Sequence, residues 1–340
     1  MADTKKNEES AIKKILSMNG ASVFIAMIVV AILFEIIIQI TRGFPGGLVF
    51  LAPSNLGQIL RQQLYTGIIA FGMTLVMITG NIDLSVGNQL TFLCCICALF
   101  MMNTDNAFCG IVGTLAVGAL CGLVNGVLVA YVKLNSFIAS LGMSSVYGAL
   151  ALMASAGSVL VIPNDCSAAF QWFGTASFGP ISILIIWFIL VALVLGFLLS
   201  KTVYGKQMYV IGSNPVAARF SGIRFKRNIA IAYLILGLCC ALAAVVTMAN
   251  VKSSNPQAAS GKEMEVILCV VLGGCAVEGG KGSVWGTIIG VLFYGVLLSG
   301  FTMLNLPLYM RWVVMGLIMV FVLSLDALEG KGIKLWKKKQ

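Results

Sequence analysis

Long apolar runs alternate along this chain with short breaks rich in Gly, Ser, Asn or Lys. Runs suited to crossing a membrane lie near 21–40, 63–80, 86–102, 108–132, 136–155, 181–200, 228–250, 264–277, 284–300 and 308–325. A hydrocarbon core of ~30 Å needs about 20 apolar residues per helix. The pattern predicts an all-α polytopic membrane protein with about ten transmembrane segments (eight to ten, allowing for uncertain ends). The runs 136–155 and 264–277 are short or Gly/Ser-rich and read as candidates for broken or half-helices. Such segments are tolerated only where they pack in protein or line a cavity.

The positions of the charges orient the spans. With the N-terminus inside, 17 of the 22 Lys and Arg residues fall on inner stretches, among them Lys133, Lys201, Lys206, Lys281 and the tail lysines. Only Arg42, Arg61, Lys252, Lys262 and Arg311 fall outside or at the outer interface. This positive-inside bias places both termini in the cytoplasm. The expected organisation is an inner N-terminal segment 1–20, one membrane domain 21–326 and a basic inner tail 327–340. The segment 1–20 is polar and Lys-rich, so the chain is expected to lack a cleavable signal peptide. The net charge of +10 is accounted for by orientation and calls for no nucleic-acid partner.

Composition supports the membrane assignment and narrows the chemistry. Of 340 residues, 59% are hydrophobic and 10% charged, and the mean hydropathy is +1.01. The lack of histidine excludes a Ser-His-Asp triad, a Cys-His pair and HExxH zinc chemistry. Gly279-Gly280-Lys281-Gly282-Ser283 has the wrong spacing for a phosphate-binding loop, so the chain is not expected to hydrolyse ATP itself. No catalytic or metal site is expected. Most of the ten cysteines sit in apolar runs as small hydrophobes, and Cys94-x-x-Cys97 reads as packing. Cys109 and Cys166, near or outside the membrane, are open to either a paired or a free state.

Two loops stand apart. The outer loop 156–180 holds Pro163, Asn164, Asp165, Trp172 and Pro180 without a Lys or Arg, which suits an external partner. The inner loop 201–227 is basic and encodes a short helix. Asn214 is a good N-cap, Pro215 fits the first helical position, and Val216–Ser221 lead to Gly222 as a stop. One or two turns are not stable alone in water. A docked partner and an ordinary ordered loop are the two readings.

Polar residues within the spans are the remaining candidates. Gly80, Asn81, Asp83, Ser85 and Gly87 interrupt two apolar runs, permitting unwound backbone along a translocation path. The structural alternative, slightly preferred for Asp83, is a cap on a helix starting near Leu84. Gly273 and Gly274 open a second, weakly similar interruption that continues to Ser283. Asn125, between Gly122 and Gly126, is better read as an interhelical hydrogen bond amid close packing than as a solute contact. Glu35 in the first span is interfacial, packed on a partner subunit, or neutral.

These motifs together resemble the ribose-type permease family of bacterial ABC importers. Gly80-Asn81-Ile82-Asp83-Leu84-Ser85-Val86-Gly87 is similar to that family's G-G-I-D-L-S-V-G signature. Asn125-Gly126 and Asn135–Met143 resemble its N-G and P-F-I-x-T-L-G segments. Gly205 through Ile223 follows its G-x-x-x-Y-x-I-G-x-N-x-x-A-A-R-x-S-G-I loop, and Val271–Ser283 its V-L-G-G…G-G-R-G-S turn. The blocks keep family order from about residue 60 to 326. Departures are Asn81 for Gly, Ser136 for Pro, and Val216 where family loops often carry Glu.

The resemblance implies a multi-pass permease of the bacterial inner membrane that passes a monosaccharide, ribose-like, by alternating access. It implies a separate cytoplasmic ATP-binding subunit holding ATP and Mg, an extracytoplasmic sugar-binding protein, and a second permease subunit in a homo- or heterodimer. Asn214, Pro215, Ala217, Ala218, Arg219, Phe220 and Gly222 then form the ATPase-coupling helix, with no cofactor in this chain. The alternatives are an ion-gradient-driven secondary transporter, or the same permease class carrying a nucleoside or an autoinducer-like sugar.

Overall fold

The computed structural model describes residues 21–42, 47–163, 166–179, 181–258 and 261–330. The expectations placed on 1–20, Asn164, Asp165, Pro180 and 331–340 lie outside the described residues. In chain order the elements are α1 (Ala21–Arg42), α2 (Pro53–Ile78), α3 (Val86–Thr104), α4 (Ala107–Ala130) and α5 (Ser136–Ser155). Then follow β1 (Leu160–Val161), α6 (Ala168–Thr175), β2 (Ser177–Phe178), β3 (Ile181–Ser182), α7 (Ile183–Lys201), α8 (Val203–Ser213) and α9 (Pro215–Phe220). The chain continues through α10 (Phe225–Val251), β4 (Ser253–Ser254), α11 (Lys262–Leu272), α12 (Val284–Met303) and α13 (Leu308–Gly330). Seven of these helices, α1, α3, α4, α5, α7, α10 and α12, are long and apolar enough to cross a membrane. The protein is an all-α polytopic membrane protein.

Local sequence sets the helix starts. Asn106, Asn135, Ser182, Thr202 and Ser283 each accept a backbone N–H in the first turn of α4, α5, α7, α8 and α12. A side-chain cap of this kind satisfies one of the orphan donors at a helix start. Pro53 occupies the first turn of α2, where its missing N–H costs nothing. The helix therefore begins ten residues before the expected apolar run. Of the two segments read as broken, α11 is a half-helix of 11 residues, whereas α5 is continuous over 20. Gly142 and Gly148 in α5 are absorbed as ordinary helical residues, Gly142 against open space and Gly148 beside Asn88.

Close backbone approach holds the centre together. In a bilayer, packing contributes more to helix association than apolar burial does. Helix α10 lies along α4 and also against α2 and α3. A Cβ on Gly126 would sit 2.9 Å from the Ala230 Cα, and one on Gly122 would strike the Tyr233 carbonyl. From the other side, a Cβ on Gly237 would lie 2.8 Å from the Gly122 Cα. A side chain at any of these places would push the two helices apart.

A second, smaller core joins α1 to α12. Phe34 packs on Phe50 at 5.4 Å and edge-on to Phe301 at 5.7 Å between ring centres. Glu35 belongs here: buried, it accepts the backbone N–H of Val49 at 3.0 Å and of Leu51 at 2.8 Å, and the Gln39 amide at 2.7 Å. This role was none of its three readings: the carboxyl group anchors the segment after α1 within this chain. The outer loop is more ordered than its composition suggests. It contains α6, pairs β2 with β3, and joins β1 to β4 through Leu160 opposite Ser254.

Candidate functional site

The two glycine-rich interruptions meet at one end of the bundle, the end that carries the loop expected to face the cytoplasm. Helix α2 stops at Ile78, and the Gly280 N–H donates to the Ile78 carbonyl at 2.8 Å. A Cβ on Gly279 would lie 2.6 Å from the Gly80 nitrogen. Helix α8 closes over this junction: a Cβ on Gly212 would overlap the Ile78 carbonyl, and Ser213 lies against Gly280. The Tyr209 hydroxyl donates to the Gly282 carbonyl at 2.8 Å. Burial raises the Tyr209 phenol above its ordinary pKa, which keeps it a donor through the neutral range. Helix α8 is also tied to α10, since Tyr204 donates to the Asn228 carbonyl at 3.0 Å and Asn228 donates to Gln207 at 2.7 Å.

Deeper in the first interruption lies a buried polar knot. One Asp83 carboxylate oxygen accepts the Ser85 N–H at 2.7 Å and the Ser85 hydroxyl at 2.6 Å. The other accepts the Asn125 amide at 2.9 Å, and that amide also donates to the Ser85 hydroxyl oxygen at 2.8 Å. Tyr147 from α5 donates to the Asn125 oxygen at 3.0 Å, and Tyr233 from α10 donates to the Ile82 carbonyl at 3.2 Å. Asp83 does not cap a helix at Leu84. Helix α3 begins at Val86 with Ser85 before it, and the carboxylate bonds two positions ahead while gripping α4. Asn125 makes the interhelical hydrogen bond expected of it.

The candidate path residues thus divide. Asp83, Ser85, Gly87 and Asn125 are buried. Gly80 and Asn81 line a cavity beside α9, Gly273 packs on Gly286 of α12, and Gly274 is exposed. Sequence reasoning passed over Tyr147, Tyr209, Gly212 and Tyr233. The Tyr209 and Gly212 positions were visible as fixed letters of the inner-loop pattern, whereas nothing in the sequence marked Tyr147 or Tyr233.

Helix α9 forms as its caps dictate, ending one residue earlier than read. The Asn214 side chain accepts the Ala217 N–H at 2.9 Å, and Pro215 follows. At the other end Gly222, with φ +71°, donates to the Arg219 carbonyl at 3.2 Å, and Ile223 donates to the Ala218 carbonyl at 3.2 Å. This pair of bonds is a Schellman closure, which needs a left-handed residue where Gly222 stands. Ala218 is fully buried, while Val216 and Phe220 project at 61% and 89% exposure, with Ala217 also exposed. Arg219 is folded back, its guanidinium carbon 4.8 Å from the centre of the Phe225 ring. Beside the helix opens a cavity of about 980 Å3 lined by Lys133, Arg219, Arg224, Lys226 and Arg227 together with Gly80, Asn81 and Pro215. Among the described residues no carboxylate lines it.

Among the described residues no group of three His, Cys, Asp or Glu is placed to hold a metal ion, and none of the ten cysteines is in a disulfide.

Comparison with known proteins agrees with this architecture. Residues 55–323 match the family described as branched-chain amino acid transport system / permease component. The chain is 35% identical over 277 residues to the ribose import permease of Bacillus subtilis (strain 168), covering 82% of this chain and 86% of that one. It is 34% identical over 280 residues to the ribose import permease of Escherichia coli (strain K12), covering 82% and 87%. The D-allose transport system permease of the same strain is 33% identical over 284 residues, covering 83% and 86%. No solved structure matches the chain. With its multi-pass architecture and its motifs in family order, the chain belongs to this permease family of ABC importers, a group of inner-membrane transport subunits that includes monosaccharide permeases.

Proposed function

We propose that this chain is the membrane subunit of a binding-protein-dependent importer that passes a monosaccharide, ribose-like in size, into the cytoplasm by alternating access. The observation that carries the mechanism is the junction of α8 and α9 with both interruptions. A push on α9 reaches Ile78 through the backbone contacts of Gly212 and Gly280, and Gly282 through the Tyr209 hydroxyl. The exposed Val216, Ala217 and Phe220 form an apolar knob suited to a groove on a cytoplasmic ATP-binding subunit, which holds the ATP and Mg. Without the family's Glu at Val216, docking rests on this packing and on the surrounding Arg and Lys residues. An extracytoplasmic sugar-binding protein and a second permease subunit complete the assembly. The relatives' named sugars, ribose and D-allose, favour a small neutral monosaccharide. The two carboxylates that a gradient-driven carrier would use, Glu35 and Asp83, are both engaged in structural hydrogen bonds.

The test is Ala217→Glu in the assembled importer. Its side chain points out of the fold, so the variant folds, whereas a large residue at the buried Ala218 would unseat α9 itself. Sugar uptake is expected to collapse while basal ATP hydrolysis persists. Uptake at the unmodified rate would remove the coupling role.

A further inference from the structure

A small cavity lies on the outer side of the bundle between α2, α3, α10, β4 and the start of α11. Its volume is about 180 Å3, a little more than the ~150 Å3 that accommodates one benzene ring. Apolar Ile69, Leu90 and Val266 form part of its wall. Polar Gln62, Tyr65, Thr91, Thr247 and Asn255 line it as well, and the wall as a whole presents more apolar than polar surface. Among the described residues its one cation, Lys262, is held by Glu265 at 2.6 Å.

The hydrogen-bonding capacity of these groups is directional. Thr91 and Thr247 donate their hydroxyl protons to the Gly87 and Ala243 carbonyls of their own helices, at 3.2 and 2.7 Å. Their oxygens are left as acceptors. The Tyr65 oxygen accepts from the Asn250 amide at 2.7 Å, so its own proton remains to donate. A half-buried tyrosine ring, two hydroxyl acceptors, one hydroxyl donor and a side-chain amide match the faces of one neutral polyhydroxylated ring. They offer no uncompensated cation for a carboxylate or phosphate, because Lys262 is already paired.

The cavity also lies on a route. A wider cavity of about 500 Å3, lined by Arg61, Thr175, Ser177 and Asn250, shares Gln62 and Tyr65 with it. The Tyr65–Asn250 hydrogen bond therefore stands at the boundary between the two. The pairing of β1 with β4 brings the outer loop to the same wall, through Leu160 opposite Ser254.

We propose that the cavity between α2, α3, α10 and α11 is a transient binding station for a single monosaccharide within this chain, entered past Tyr65 and Asn250. The inference rests on the sugar-import reading. It assigns the station to each permease subunit's own interior. Modest affinity suits the role, because a transport path must release what it binds.

The experiment has two readouts on the full-length chain. In the assembled importer, Thr247→Trp fills the cavity, and Leu193→Trp on the exposed outer face of α7 is the control for adding an indole. Uptake of D-ribose or D-allose is expected to fall by about tenfold or more in the first variant only, as when a polar site loses its partners. ATP hydrolysis stimulated by the loaded binding protein is expected to continue, which shows that the variant is folded and docked. In the purified permease, the labelling by a small maleimide that Thr247→Cys adds over the parent chain is measured, and millimolar D-ribose or D-allose is expected to slow it. Normal uptake by Thr247→Trp together with unprotected labelling would overturn the station and leave the importer intact. Protected labelling without ATP-driven uptake in the parent chain would instead overturn the importer reading and leave the binding site.

Discussion

The two glycine-rich interruptions occupy similar places in their halves of the chain, yet they are held by different physics. The first, from Thr79 to Ser85, is secured by side chains: Asp83, Ser85 and Asn125 saturate one another, and Tyr147 and Tyr233 close the knot. The second, from Gly273 to Ser283, is secured by backbone. Gly280 donates to Ile78, Gly282 accepts from Tyr209, and Gly279 and Gly280 fit only because they lack a Cβ. A carboxylate network is specific and resists displacement, because freeing one member strands the others in a dry interior. A glycine turn gripped at single points can shift more readily. The difference assigns the first interruption an anchoring role and makes the second the one that answers to α8.

The largest effect expected from testing this comparison is at Gly280. Its φ of +76° disfavours any side chain, and a Cβ would sit 2.9 Å from the Ser213 backbone. Gly280→Val combines left-handed strain with overpacking, for a loss of about 2–5 kcal/mol. The check is a thermal unfolding scan in detergent, where a midpoint near the parent's would show that the turn is not under this constraint. Next is Asp83→Ala, which strips the acceptor from Ser85 and Asn125 and should cost about 2–4 kcal/mol. Retention of full thermal stability in that variant would deny the knot its anchoring role. The smallest effect on stability is Tyr209→Phe, which removes one hydrogen bond worth about 1 kcal/mol. Its functional effect should be larger than its structural one: ATP hydrolysis retained and sugar uptake reduced. Loss of both in proportion would place Tyr209 among the merely structural residues.

Much of this organisation was legible residue by residue. Asn214, Pro215 and Gly222 are local signals, acting within one or two turns, and α9 formed where they placed it. The half-length of α11 was likewise readable from the glycines that follow its apolar run. The knot was only half legible. Asp83 and Asn125 were each conspicuous as polar residues in apolar surroundings, but their partnership spans 42 positions and no local pattern records it. Helix α5 was misjudged for a related reason: Gly and Ser within a span mark either a break or a close contact, and only the neighbouring helix decides which.

The outer cavity lies beyond that kind of reading altogether. Gln62, Tyr65, Thr91, Thr247 and Asn255 are single polar letters scattered over four segments, and none stands out alone.

Hydropathy, charge placement and turn chemistry are properties of neighbours in the chain. They determine that the protein spans the membrane and where the short helix α9 begins and ends, and they set the orientation expected of it. Which helices touch depends on complementary surfaces far apart in sequence, such as Gly122 against Gly237 or Gly212 against Ile78. Only folding brings those surfaces together, and with them came the contact between the two interruptions, the knot at Asp83 and the outer cavity.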